Sequence, residues 1–198
     1  MIDQLLRELY ATSAAEYVGV VLGLLYVLLI YRRNRLGWLA GAASSIAYIY
    51  LAALARLPMQ SVLQFYYVVM SVYGWRNWTR AKDERAGGIG RWPLRNHAIA
   101  VAAIVLLSAL SAQWLRRETH AALPYLDSLT TWTCLFATWL LAQLKIENWL
   151  YWICADSVTA YMFASQGYPF SAGLFISYLV IAVFGFREWL RQYRLQRP

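Results

Sequence analysis

The chain has 198 residues, of which 61% are hydrophobic and only 14% charged, with a mean hydropathy of +0.42 and a net charge of +8. A water-soluble domain of this length cannot hide so much apolar surface, so part of its solvent is lipid. The positive charge does not point to nucleic acid, because the Lys and Arg residues sit in short gaps between apolar runs and form no contiguous basic face.

Taken in chain order, the first segment, residues 1–16, carries acids and no small-residue cleavage site, so it does not read as a cleaved signal peptide. Seven apolar runs approach bilayer length, at residues 17–31, 38–55, 60–78, 97–115, 126–143, 148–165 and 170–189. Pro58 and Pro169 fall in tight connections, where a missing N–H costs least. Residues 79–96 are the one clearly aqueous stretch, with Lys82, Asp83, Glu84, Arg85 and the run Gly87-Gly88-Ile89-Gly90. No strand precedes that run and no Gly-Lys-Ser/Thr follows it, so it reads as a linker and not a phosphate loop. Residues 190–198 form a basic tail.

Fourteen of the 18 Lys and Arg residues fall on one side of a seven-span topology, and Arg7, Arg56, Arg116 and Arg117 fall on the other. The positive-inside rule makes the first side cytoplasmic, which puts the N-terminus outside and the C-terminus inside. Six or eight spans would mix the two groups.

Residues 16–78 align without a gap on residues 127–189, with 14 of 63 positions identical. Trp38 meets Trp149, Tyr50 meets Tyr161, Pro58 meets Pro169 and Tyr67 meets Tyr178. Gly74-Trp75-Arg76-Asn77-Trp78 meets Gly185-Phe186-Arg187-Glu188-Trp189. Matched Trp, Pro and Gly-x-Arg-x-Trp on one diagonal indicate an internal duplication. The expected architecture is therefore all-α and membrane-spanning: a three-helix repeat at 17–78, a linking helix at 97–115 and a second three-helix repeat at 126–189. The single linking helix restores the orientation, giving parallel repeats in a 3+1+3 order, a transporter plan whose site lies near the midplane between the halves. The linking helix itself, rich in Ala, Val, Ile and Leu, suggests no chemistry.

A charged group within the hydrocarbon is costly and usually functional, and only Asp156 lies near a span centre. Solute contact, ion coupling and a helix–helix hydrogen bond are the readings open to it. Its repeat mate is Ser45, so symmetry does not demand the acid. Trp152 and Trp149 share its helical face, and Asn148 opens the same span. An acid beside indole rings suits a flat or cationic solute. Trp149 is mirrored by Trp38 and so also reads as a belt or packing residue, whereas Trp152 faces Gly41 and breaks the symmetry.

Gln64 either hydrogen-bonds a solute hydroxyl or carboxamide or staples two helices, and Tyr66 and Tyr67 follow it. In the fifth span Thr130, Thr131, Trp132, Thr133 and Thr138 add hydroxyls and one large ring. Glu16 and Asp127 sit at matching span edges and read as solvated or capping acids. Cys134 and Cys154 lie inside apolar runs, form no disulfide framework and show no metal spacing, so neither a metal nor a cofactor is expected. Catalysis has little support: His97 and His120 flank the fourth span, with no His-Glu-x-x-His or Gly-x-Ser-x-Gly motif and no acid pair at one depth.

Glu147-Asn148-Trp149-Leu150-Tyr151-Trp152, Asp156 and Gln166-Gly167-Tyr168 resemble the sixth-helix signature of the PnuC family of vitamin transporters. Gln64 with Tyr73-Gly74-Trp75-Arg76-Asn77-Trp78 resembles the family's third helix and its end, and the resemblance runs from about residue 16 to about residue 190. It implies a SWEET-like seven-helix fold in a bacterial inner membrane, a possible homotrimer, and facilitated diffusion of nicotinamide riboside, thiamine or riboflavin. It also implies a functional link to a cytoplasmic vitamin kinase, whose phosphorylated product is too charged to return. The family's site matches Gln64, Trp152 and position 156. Some nicotinamide riboside members carry Asn where this chain has Asp156, and an acid there favours a cation. Nicotinamide riboside is the first expectation, thiamine the second. A proton-coupled carrier using Asp156 and a non-transporting scaffold are the remaining alternatives.

Overall fold

The computed structural model describes residues 14–54, 58–83, 88–118 and 123–196. Most of segment 1–16, Arg56 and His120 therefore lie outside the described residues, as do residues 84–87 of the linker. Seven helices follow in order: α1 Ala14–Tyr31, α2 Leu36–Leu54, α3 Pro58–Asp83, α4 Leu94–Glu118, α5 Pro124–Ala142, α6 Asn148–Ser165 and α7 Pro169–Leu195. By length and composition α2, α4 and α7 are long and apolar enough to cross a membrane, and α1 is apolar but shorter, over Tyr17–Tyr31. α3 and α6 are interrupted by polar residues such as Gln64, Asn148 and Asp156. Pro124 and Pro169 occupy the first turns of α5 and α7, where a fixed φ is already helical and no intrahelical N–H is lost.

The helices form two compact units, residues 1–83 and 84–198. In the first, α1 packs on α2 and α2 on α3; in the second, α4 packs on α5, α5 on α6 and α6 on α7. Small residues let the helices of the first unit approach closely. A Cβ at Gly19 would stand 3.1 Å from the Tyr48 ring, and the Ser44 hydroxyl donates to the Gly19 carbonyl at 2.8 Å.

The duplication is visible inside each unit. Trp38 is 1% exposed and meets Trp78 edge-on at 5.5 Å, against the bare backbone of Gly74. Trp149 is 3% exposed and meets Trp189 edge-on at 5.7 Å, against Gly185. The α1–α2 and α5–α6 turns also match atom for atom. Each closes its helix on a left-handed residue that is not glycine, Arg33 in one and Leu144 in the other, both at φ 55°. Asn34 N–H bonds the Leu29 carbonyl at 2.8 Å and Lys145 N–H the Leu140 carbonyl at 3.0 Å. Each is the six-to-one bond of a Schellman cap.

Two expectations are corrected. Residues 79–83 are helical and continue α3 into the aqueous stretch, where an irregular linker is expected. Hydropathy marks where lipid ends, and Thr-Arg-Ala-Lys-Asp continues a helix into water without difficulty. Likewise α7 carries most of the expected tail, running to Leu195. The end of the linker is also built into the fold. Ile89 is 3% exposed, and Gly90 pairs through its backbone with Leu144 and Ile146 at 3.0 and 3.1 Å. Trp92 N–H then donates to the Glu147 carboxylate at 3.2 Å.

Candidate functional site

Asp156 lies midway along α6, two turns from its start, and is 6% exposed. Cys134 of α5 lies within electrostatic reach of both Asp156 and Cys154, which places the acid near α5. Among the described residues no donor or cation is bonded to its carboxylate. A buried carboxyl group without a partner is costly to ionise, and such a group is kept within a membrane span where something other than the protein can supply the partner.

Trp152, half-buried, stands one turn before Asp156 and makes no ring–ring contact among the described residues. Gln64, on α3 in the first unit, is half-buried, and its carboxamide makes no hydrogen bond among the described residues. Tyr67 is half-buried beside Tyr66, with ring centroids 5.8 Å apart.

The other sequence-selected residues are engaged in the framework. Asn148 is 0% exposed, and its amide donates to the Lys145 carbonyl at 2.7 Å, closing the α5–α6 turn. Trp149 is held by Gly185 and Trp189. The Trp132 indole N–H donates to the Ser111 hydroxyl of α4 at 3.2 Å. The hydroxyls of Thr130, Thr131, Thr133 and Thr138 donate to carbonyls one turn back on α5. Asp127 is exposed at the start of α5, and the side chain of Glu16 lies outside the described residues.

Sequence reasoning missed the polar role of the linking helix. His97 Nδ1 and the Tyr151 hydroxyl of α6 lie 3.0 Å apart, with the rings stacked at 5.8 Å. Trp92 meets His97 edge-on at 5.0 Å and Trp139 at 5.5 Å. The signal was faint: one histidine at the edge of an Ala-rich span.

Seven helices, a duplicated Trp–Gly–Trp lock and a mid-helix acid with no partner among the described residues are the features of a membrane carrier. Residues 13–191 match the family described as nicotinamide mononucleotide transporter. The chain belongs to that family, the PnuC-type vitamin transporters, and is a multi-pass membrane protein. It is 26% identical over 190 residues to the riboflavin/roseoflavin transporter RibM of Streptomyces davaonensis, covering 93% of this chain and 88% of that one. It is 24% identical over 211 residues to the nicotinamide riboside transporter PnuC of Escherichia coli, with the same coverage. Its fold matches the crystal structure of the vitamin B3 transporter PnuC with a TM-score of 0.72 at 22% identity, over 98% of this chain and 87% of that one.

Proposed function

We propose that this transporter carries a small cationic B-vitamin or vitamin precursor, nicotinamide riboside before thiamine, across the bacterial inner membrane. Asp156 is the group that receives the positive charge and Trp152 the ring that stacks on the solute, while Gln64 and Tyr67 are recognition groups on the strength of the family resemblance alone. One observation carries the reading: the buried carboxylate of Asp156 has no protein partner among the described residues. A pyridinium or thiazolium ring supplies that partner, and a flat cation gains further from the face of an indole. Relatives named for riboflavin and for nicotinamide riboside share nearly the same identity with this chain, so the choice rests on charge and not on similarity.

The carrier equilibrates its solute by facilitated diffusion, and a cytoplasmic kinase traps the product as a phosphate. The distribution of Lys and Arg between the connections supports an N-terminus outside and a C-terminus in the cytoplasm. Titration calorimetry on the purified protein tests the reading. Nicotinamide riboside or thiamine binds the unsubstituted chain, and Asp156→Asn weakens that binding by roughly thirtyfold or more, as expected when one member of a desolvated charge pair is removed. Tighter binding of riboflavin, unaffected by Asp156→Asn, overturns it. A proton relay at Asp156 is the competing role for the same isolated acid, and uptake that follows an imposed pH gradient would establish it.

A further inference from the structure

Three close approaches fix the register of the α1–α2 hairpin in the first unit. Gly19 lies against the Tyr48 ring, Gly23 against the Ser44 hydroxyl and Gly41 against the Tyr26 ring, where an added Cβ would stand 3.1, 3.4 and 2.8 Å away. Each step forward along α1 is matched by an equal step back along α2, so all three belong to one antiparallel register. The α5–α6 hairpin is built the same way. Beyond the shared cap, Gly37 N–H bonds the Asn34 carbonyl at 3.0 Å, and Asn148 N–H bonds the Lys145 carbonyl at 3.2 Å. Trp38 N–H bonds the Arg35 carbonyl at 3.0 Å, and Trp149 N–H bonds the Ile146 carbonyl at 3.3 Å. Carried onto the second unit, the register sets Cys134 opposite Ala155. Cys134 is within electrostatic reach of the two residues flanking that position, Cys154 and Asp156. Farther along α5 the same register sets Ala137 opposite Trp152.

At that pair the two units reverse large and small. In the first, α1 supplies the Tyr26 ring and α2 offers the bare backbone of Gly41. In the second, α5 offers Ala137, 0% exposed, and α6 supplies Trp152. There is room for one ring between the helices at this level, since the Tyr26 ring already fills the place of a first side-chain atom at Gly41. We infer that Ala137 is a positioning residue, whose small side chain leaves the space into which the Trp152 indole settles one turn from Asp156. The reversal moves the ring onto the helix that carries the acid. Trp152 is half-buried, so its removal leaves no sealed cavity. The inference rests on the reading of Trp152 as the ring that meets the solute.

The test pairs thermal denaturation with calorimetry of nicotinamide riboside on the whole detergent-solubilised protein. A137Y places two rings where one fits and lowers the thermal midpoint by roughly 5 °C. A137Y/W152G copies the Tyr26–Gly41 pairing and regains most of that loss. A137V, a smaller intrusion, weakens binding about fivefold in the unsubstituted chain and leaves it nearly unchanged in the W152A background, because its effect passes through the indole. A midpoint of A137Y/W152G as low as that of A137Y overturns the pairing. Equal weakening by A137V with and without Trp152 overturns the positioning role. Binding that survives W152A undiminished, with the midpoint still regained in A137Y/W152G, overturns the solute role of Trp152 and the positioning role with it, and leaves a packing pair alone.

Discussion

Asp156 and Trp149 are seven residues apart on one helix and meet opposite fates, and the difference is readable in their neighbours. Trp149 rests against Gly185 and Trp189 and is 3% exposed, so its bulk holds α6 to α7. Trp152 has no such ring partner among the described residues. Truncation separates the two roles. Trp149→Ala opens a large cavity and destabilises the protein by about 3–5 kcal/mol, read as a fall in thermal midpoint. Trp152→Ala leaves the midpoint near that of the unsubstituted chain and weakens solute binding instead, as calorimetry will register. The sequence alone placed both indoles on one face with Asp156 and left a packing role for Trp149 open, since Trp38 mirrors it. Only coordinates reveal what stands opposite a ring. The same holds for the α5 threonines, whose hydroxyls donate to carbonyls of their own helix.

At the level of the helices, the two Trp–Gly–Trp locks bear on how the duplication is maintained. A Cβ at Gly185 would fall 2.7 Å from the Trp149 ring, and one at Gly74 would press on Trp38 just as closely. Neither indole can retreat, because each is nearly fully buried. Gly185→Ala and Gly74→Ala therefore each destabilise their unit by about 1–3 kcal/mol, an overpacking penalty visible in denaturation of the detergent-solubilised protein. Ala for Gly normally favours a helix, so an unchanged or raised midpoint in either variant would refute the lock. These elements were legible beforehand because aromatic and glycine matches survive on one diagonal. The helical character of 79–83 was not legible, because apolar periodicity stops where lipid stops and the helix does not. Nor was the docking of Ile89 and Gly90 on the α5–α6 turn, which depends on backbone pairing that composition does not encode.

For the molecule as a whole, seven helices and membership of the nicotinamide mononucleotide transporter family followed from hydropathy, charge asymmetry and two short motifs. The solute did not, because relatives named for riboflavin and for nicotinamide riboside are nearly equally similar to this chain. The orientation proposed from the arginines predicts that a C-terminal alkaline phosphatase fusion stays inactive in intact cells, since that enzyme needs an oxidising compartment. An active fusion would reverse the topology. The most direct measurement is paired calorimetry of nicotinamide riboside and riboflavin on the unsubstituted protein and on Asp156→Asn. This account predicts measurable binding of the cation, lost by roughly thirtyfold or more in the variant, and weaker binding of the neutral flavin that the substitution leaves alone. Cation affinity that is the same in both proteins would contradict it.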